Sequence, residues 1–356
     1  MWIRISTFAA ILGLLPVSTL AQDLEAILDK ASDLEPLEVV IVAREGEIIA
    51  ERGYDGHSPD APTNIKSASK TVISALVGIA IDKGILDGVD QRVADLLPDD
   101  LPEDADPRLA QVTVGNLLSM QAGLAPTSGA NYGRWVVSRN WVRSALAQPF
   151  ETDPGGRMLY STGSSHLLSA ILTQAGGEST LALARDWFAP VDDFAIGGWE
   201  RDPQGIYLGG NQMAMSPRSL LAFGEVFRNG GLAKDGTRIV SEDWIAQSWS
   251  ERTQSRFTGD GYGYGWFLRE MGGEDVRYAW GYGGQMLYVV PSLELSVVMT
   301  SDENLPSAGN GHRDALHALL TEIVTTIRDD GETEHSRPNP DETVDVGAPS
   351  LSPDPS

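Results

Sequence analysis

The sequence predicts a two-lobed α/β protein, an antiparallel sheet flanked by helices with an all-helical second lobe. Three observations predict it. Strand-like runs lie near both ends of the chain, helical patterns fill the middle, and the helix after the first hairpin is apolar on nearly every face. Strands so far apart in sequence share one sheet only if the intervening helices form an insertion. The α/β lobe is therefore expected over about residues 22–84 and 255–328, and the helical lobe over about 85–254. A cleft between two such lobes is a natural small-molecule site.

Residues 1–21 read as a secretory signal, with Arg4 as the basic start, an apolar stretch over 8–15, and Thr19-Leu20-Ala21 as the cleavage site. This predicts an exported bacterial protein, periplasmic or secreted, that matures near Gln22. No later run reaches about 18 uninterrupted apolar residues, so no stable membrane insertion is expected after cleavage. A short amphipathic helix follows over 24–32. The segment "LEVVIVAREGEIIAERGY" (37–54) then reads as a β-hairpin turning at Glu45-Gly46. The apolar helix spans about 67–83 and stops at Gly84.

Helices are expected over 114–120, 135–147, 166–175, 217–229 and 241–249, and strands over 262–270, 286–291 and 293–301. Leu316, Leu319, Leu320, Ile323, Val324 and Ile327 mark a closing amphipathic helix. The tail, 329–356, is rich in Pro, Ser, Asp and Glu, and is expected to be a disordered, solubilising segment.

Composition removes several functions. Without cysteine there is no disulfide, thiolate nucleophile, Cys-ligated metal or lipidated cysteine. A net charge of −24 opposes nucleic-acid binding, which needs a basic surface. The five histidines show no metal-binding spacing, and Ser164-Ser165-His166 lies outside any G-x-S-x-G elbow, so neither a metal nor a hydrolase triad is expected. No cofactor is required by what remains.

What remains is Ser67-Ala68-Ser69-Lys70. Residues three apart share a helix face, so the Ser67 hydroxyl and the Lys70 amine can meet. A lysine kept neutral by desolvation can take the serine proton, and a helix start offers N–H groups to an oxyanion. Of five lysines, only Lys70 has a serine three residues before it. The spacing alone fits equally a lysine that snorkels to solvent. A second piece is Tyr160, in a Gly-rich turn before an apolar helix. Near an ammonium its phenolate would be favoured, making it a proton relay. A third is "YAWGYGGQMLYVVP" (278–291), where Gly281, Gly283 and Gly284 surround Trp280 and Tyr282. Glycines there admit close approach to the backbone, and a strand-edge N–H is a second oxyanion donor. Taken singly, Tyr160 and this turn also read as packing features.

In this order the three pieces resemble the serine β-lactamase-like superfamily: class C β-lactamases, penicillin-binding carboxypeptidases, esterases and nylon-oligomer hydrolases. Ser67-x-x-Lys70 looks like its first motif and Tyr160-Ser161-Thr162 like its Tyr-x-Asn element. Ala279-Trp280-Gly281 takes the place of its Lys-Thr-Gly strand. The resemblance extends over about residues 37–327, and "SRNWVRSAL" and "SSHLLSAIL" look most like the esterase and nylon-oligomer branch. It implies the β-lactamase/transpeptidase-like fold, acylation of Ser67 with Lys70 and Tyr160 sharing the base role, and an oxyanion between the N–H groups of Ser67 and Tyr282.

Two departures bear on the substrate. Thr162 offers no amide, and no cation stands at 279–281 to grip a carboxylate. An aromatic rim of Tyr132, Trp135, Trp280 and Tyr282, with Thr162, Gly281 and Gly283, is expected to favour apolar acyl groups. The expected activity is an exported serine esterase or small amidase. A β-lactamase or D-Ala-type peptidase is the alternative within the class, and a silent envelope ligand-binding protein the alternative outside it.

Overall fold

The computed structural model describes residues 19–335. Its centre is an eight-stranded antiparallel sheet in the order β2-β1-β11-β10-β9-β8-β7-β6. The strands are β1 (Leu37–Arg44), β2 (Glu47–Gly53), β6 (Thr253–Gln254), β7 (Gly261–Tyr262), β8 (Phe267–Met271), β9 (Glu274–Gly281), β10 (Gln285–Val290) and β11 (Leu295–Ser301). The expected first hairpin forms, turning at Glu45-Gly46 with both residues at positive φ. Its β1 pairs with β11 in the register Val40↔Met299 and Ile41↔Val298, so the two ends of the sequence close one sheet.

Period-two alternation then divides the core. Val39, Ile41, Val298, Leu287 and Ala279 face one layer of helices, while Val40, Val42, Val297, Tyr288 and Tyr278 face another. Both faces are covered, which explains why β10 and β11 are buried at every position rather than alternately.

The helices are α1 (Thr19–Ala31), α2 (Ser69–Asp82), α3 (Val93–Leu96), α4 (Val114–Leu118), α5 (Tyr132–Val136), α6 (Trp141–Leu146), α7 (Thr162–Gly176), α8 (Thr180–Trp187), α9 (Pro217–Arg228), α10 (Glu242–Ser248) and α11 (His312–His335). α1 and α11 cover the outer face of the sheet through Leu24, Leu28, Leu316, Leu320 and Ile323. α2 is buried from Ser69 to Ala80, as its lack of a polar face predicts, between the sheet and the helical lobe. Gly78 is required there: a Cβ would fall 2.3 Å from the Trp244 ring of α10. A small sheet, β3 (Thr63–Asn64), β5 (Met213–Met215) and β4 (Gly198–Trp199), leads into α2.

Several expectations change. α9 was expected in the helical insert, yet Leu220, Phe223 and Phe227 join the core against β10 and β11. Its apolar stripe fits either lobe, and only the long-range packing decides. The stretch 135–147 is two helices, interrupted at Ser138–Asn140, where Asn140 caps α6 by accepting from the Arg143 N–H. The run 262–270 is two strands split by the turn at Gly265 (φ +81). β9 and α8 had no separate expectation. α11 continues to His335, into the acidic segment expected to be disordered. The rest of that tail, and residues 1–18 of the expected signal, lie outside the described residues.

Candidate active site

Ser67 and Lys70 arise from a local irregularity at the start of α2. Residues Lys66–Ala68 form a 3₁₀ turn, and α2 begins at Ser69. Ser67 lies in the turn and Lys70 in the first turn of α2, so residues three apart meet across the junction of the two. The Lys70 amine lies 3.0 Å from Ser67 Oγ. Lys66 holds φ +50°, a left-handed conformation that non-glycine residues seldom adopt, and Asn64 Oδ1 accepts its N–H at 3.0 Å. The first backbone bond of the turn runs from Ala68 N–H to Ile65 O, so the Ser67 N–H precedes it and is left outside the turn's own bonding.

β9 supplies the opposite wall. Gly281 lies flat against this turn, where a Cβ would fall 2.2 Å from the Ile65 carbonyl oxygen. The next residue, Tyr282, opens the turn to β10, is half exposed and lines the cleft. The bond closing that turn runs from Gly284 N–H to Gly281 O and leaves the Tyr282 N–H out of it.

Lys70 is 3% exposed. Its amine donates to the Gly210 carbonyl at 2.6 Å and lies 3.4 Å from Thr162 Oγ1 and 5.0 Å from the Tyr160 ring centre. No carboxylate is among these partners, and desolvation pulls the amine down to about 7. Tyr160 moves the other way. Burial pushes its hydroxyl well up, and a hydrogen bond with Ser67 only partly opposes this. Both shifts have the same cause, burial without a charged partner, and both favour the neutral forms, an amine on Lys70 and a phenol rather than the expected phenolate on Tyr160.

The cleft over Ser67 has a volume of about 1230 Å³ and is lined on one rim by Ser128, Tyr132, Tyr160 and Thr162. Thr162 begins α7, and its N–H donates to Ser128 Oγ at 2.7 Å. Trp135 and Trp280 do not form the expected rim. Trp135 is buried with Trp141 and Leu208 and donates its indole N–H to the Trp141 carbonyl at 2.9 Å. Trp280 points to the outer face of the sheet, against Phe267 and Arg313, because strand alternation sends it away from Gly281. Gly283 packs on the Asp302 carbonyl rather than the cleft.

The cleft is also less apolar than expected. Lys66, Arg157 and Arg256 line it, two of them near carboxylates: Lys66 at 4.0 Å from Glu303, and Arg157 at 3.1 Å from Glu151. Cations absent from 279–281 thus enter from other loops. Sequence reasoning also missed Ser128, Asn211 and the Gly210 carbonyl. The only local trace was the Gly209-Gly210 pair, since a Cβ on Gly210 would fall 2.5 Å from Lys70 Cγ. Among the described residues, no group of His, Asp and Glu is arranged to hold a metal ion, and no helix is long and apolar enough to cross a membrane.

Comparison with known proteins agrees with this fold. The profile of the Beta-lactamase family matches residues 38–322. Three solved structures share the fold. One is assigned as a 6-aminohexanoate-dimer hydrolase from Bacillus anthracis (TM-score 0.69, 17% identity, 86% of this chain and 82% of that one). Another is EstCE1, a hydrolase with promiscuous acyltransferase activity (0.68, 20%, 86% and 98%). The third is the D-amino acid amidase of Ochrobactrum anthropi SV3 (0.67, 15%, 88% and 100%). A curated relative, assigned to fimbrial assembly as FimD of Dichelobacter nodosus serogroup H1, is 32% identical over 145 residues. That match takes in 39% of this chain and only 36% of the relative.

Proposed function

Because the chain belongs to the Beta-lactamase family, whose chemistry is that of serine hydrolases, we propose that it cleaves carboxylic esters or small amides through an acyl-enzyme on Ser67. The observation that carries this reading is the buried Lys70 amine, close to neutrality and 3.0 Å from a serine hydroxyl that faces an open cleft. Neutral Lys70 takes the Ser67 proton as Oγ attacks the substrate carbonyl. The oxyanion is held between the N–H groups of Ser67 and Tyr282, a role for two donors that backbone bonding leaves over. Tyr160, still protonated, passes a proton to the departing alkoxide or amine and takes one back from the Lys70 ammonium, which restores the neutral amine. In deacylation Lys70 accepts a proton from the attacking water and returns it to Ser67 Oγ as the acyl group leaves.

Thr162 and Tyr132 line the acyl side of the cleft in this reading. Trp135, Trp280 and Gly283 support it from behind, and Gly281 sets the position of the Ser67 turn. The signal-like segment at 1–21 supports action in the periplasm or outside the cell.

Mass spectrometry after treatment with a fluorophosphonate tests the nucleophile. One adduct on Ser67, absent from Ser67→Ala, is expected; no adduct on folded protein favours a silent binding protein instead. A panel of short-chain esters beside a chromogenic cephalosporin tests the substrate. Ester turnover well above cephalosporin turnover is expected, and the reverse would identify a β-lactamase.

A further inference from the structure

Among the buried ionisable pairs that the proposed chemistry leaves unused, one lies beside the Lys70 amine. His166 on α7 and Asp202 have fully buried side chains, and His166 Nε2 lies 3.1 Å from Asp202 Oδ2. The other ring nitrogen, Nδ1, accepts the Gly209 N–H at 3.3 Å. The next residue is Gly210, whose carbonyl accepts the Lys70 amine at 2.6 Å. The imidazole is edge-on to Trp135 and Trp141, at 5.5 and 5.7 Å, so the indoles close off solvent without offering it a polar partner.

We propose that His166 and Asp202 are positioning residues for Lys70, acting through the Gly209–Gly210 backbone. The inference rests on the hydrolase reading above. Its logic is one of tautomers. Nδ1 can accept from Gly209 only if it carries no proton, so the ring proton sits on Nε2 and is donated to Asp202. Asp202 is fixed in turn. Its Oδ1 accepts the N–H groups of Gln204 and Ile206 at 2.8 and 2.9 Å, which leaves Oδ2 for the imidazole. Ser165 and Ser169 tie the same strand of backbone to α7 by donating to the Gly209 and Tyr207 carbonyls. Those hydroxyls rotate to suit either partner, whereas the imidazole has one proton to place.

Asp202→Asn is the sharpest test, because it changes almost no volume. The two backbone donors keep Asn Oδ1 where Oδ1 is now, so the new NH₂ faces Nε2. That amide is a donor, and it forces the ring proton onto Nδ1, opposite the Gly209 N–H. Two donors then face each other, the Gly209–Gly210 segment moves, and the Lys70 amine loses its carbonyl. A misplacement of this kind is expected to lower kcat about tenfold to a hundredfold, with KM nearly unchanged. The carbonyl stabilises the ammonium form, so its loss also moves the acid limb of the pH–rate profile to lower pH.

His166→Asn provides the second arm. Its amide oxygen falls near the old Nδ1 and can still accept from Gly209, whereas His166→Gln reaches only towards Asp202. The asparagine variant is expected to keep more activity than the glutamine variant at equal melting temperature. Equal kcat and an unmoved acid limb in folded Asp202→Asn would overturn the positioning role, as would a glutamine variant more active than the asparagine one. If wild-type Ser67 takes no fluorophosphonate, the hydrolase reading itself falls. If it labels normally and Asp202→Asn labels at the same rate, only the positioning role falls.

Discussion

Replacing Lys70 with methionine is expected to stabilise the protein at neutral pH while abolishing its chemistry. In the folded state desolvation brings the amine from its ordinary 10.5 to about 7. The unfolded chain keeps the ordinary value, so at pH 7 it holds a proton that the folded protein half releases. That difference penalises the native state by roughly 4 kcal/mol, at about 1.4 kcal/mol for each tenfold change in proton affinity. Methionine has a similar length and no charge to desolvate. It does strand the Gly210 carbonyl, now bonded at 2.6 Å, which costs about 1–3 kcal/mol. A net gain of roughly 1–3 kcal/mol remains, enough to raise Tm by several degrees.

The pH dependence is a cleaner quantity, because the stranded carbonyl and any packing change do not titrate. Between about pH 7 and 10 the unfolded wild type binds the extra proton, so wild-type stability rises with pH and the advantage of methionine shrinks. The expected slope is about 1.4 kcal/mol per pH unit. Urea denaturation of both proteins at several pH values from 7 to 9.5 measures it. A stability difference that stays flat over that range would refute the reasoning, since it would mean that Lys70 keeps its ordinary basicity when folded.

Other expectations are simpler. The acid limb of kcat/KM for a neutral ester should fall near pH 7, activity rising with pH as Lys70 loses its proton; a limb near pH 4 would point to a carboxylate base. Tyr160→Phe should lower kcat by about 10²–10⁴-fold without shifting that limb much, because the wild-type tyrosine stays protonated. Gly281→Ala should displace the Ser67 turn, destabilising the fold by about 1–3 kcal/mol and losing fluorophosphonate labelling in the protein that still folds. Arg256 lines the cleft without a carboxylate partner among the described residues, so Arg256→Ala should raise KM about twofold to fivefold for esters bearing a carboxylate and leave neutral esters unchanged.

The parts of this site that were legible in the sequence are those set by neighbours along the chain. Ser67 and Lys70 are separated by one turn, and Tyr160 stands directly before an apolar helix, so local pattern marked them as candidates and the resemblance of the pieces in their order joined them into a site. The first hairpin and α2 were equally readable, because turn chemistry and the absence of a polar face are local properties. Trp135 and Trp280 were misread for the complementary reason. Whether an aromatic residue faces a cleft or a core depends on which strand or helix is opposite, and periodicity does not supply that. The Gly210 carbonyl was invisible for a related reason: a backbone oxygen has no residue type. His166 was noticed only as a failed triad member, since its partner Asp202 and the glycines it holds come from a loop 36 to 43 residues away.

The contact of Gly281 with the Ile65 carbonyl also bears on how the enzyme comes into being. Ser67 belongs to the early part of the chain, but the strand that shapes its turn, and the Tyr282 beside it, are made more than 200 residues later. Early folding of the Ser67 segment therefore cannot give a finished site. At synthesis rates of about 5–20 residues per second, the serine remains without its β9 wall for at least ten seconds or so. Pairing of β1 with β11 is similarly non-local, which makes docking of the last strands a slow, late step. On the proposed chemistry, acylating power arrives with the closing of the sheet, and a nascent chain halted before β9 would carry Ser67 and Lys70 with no competence to use them.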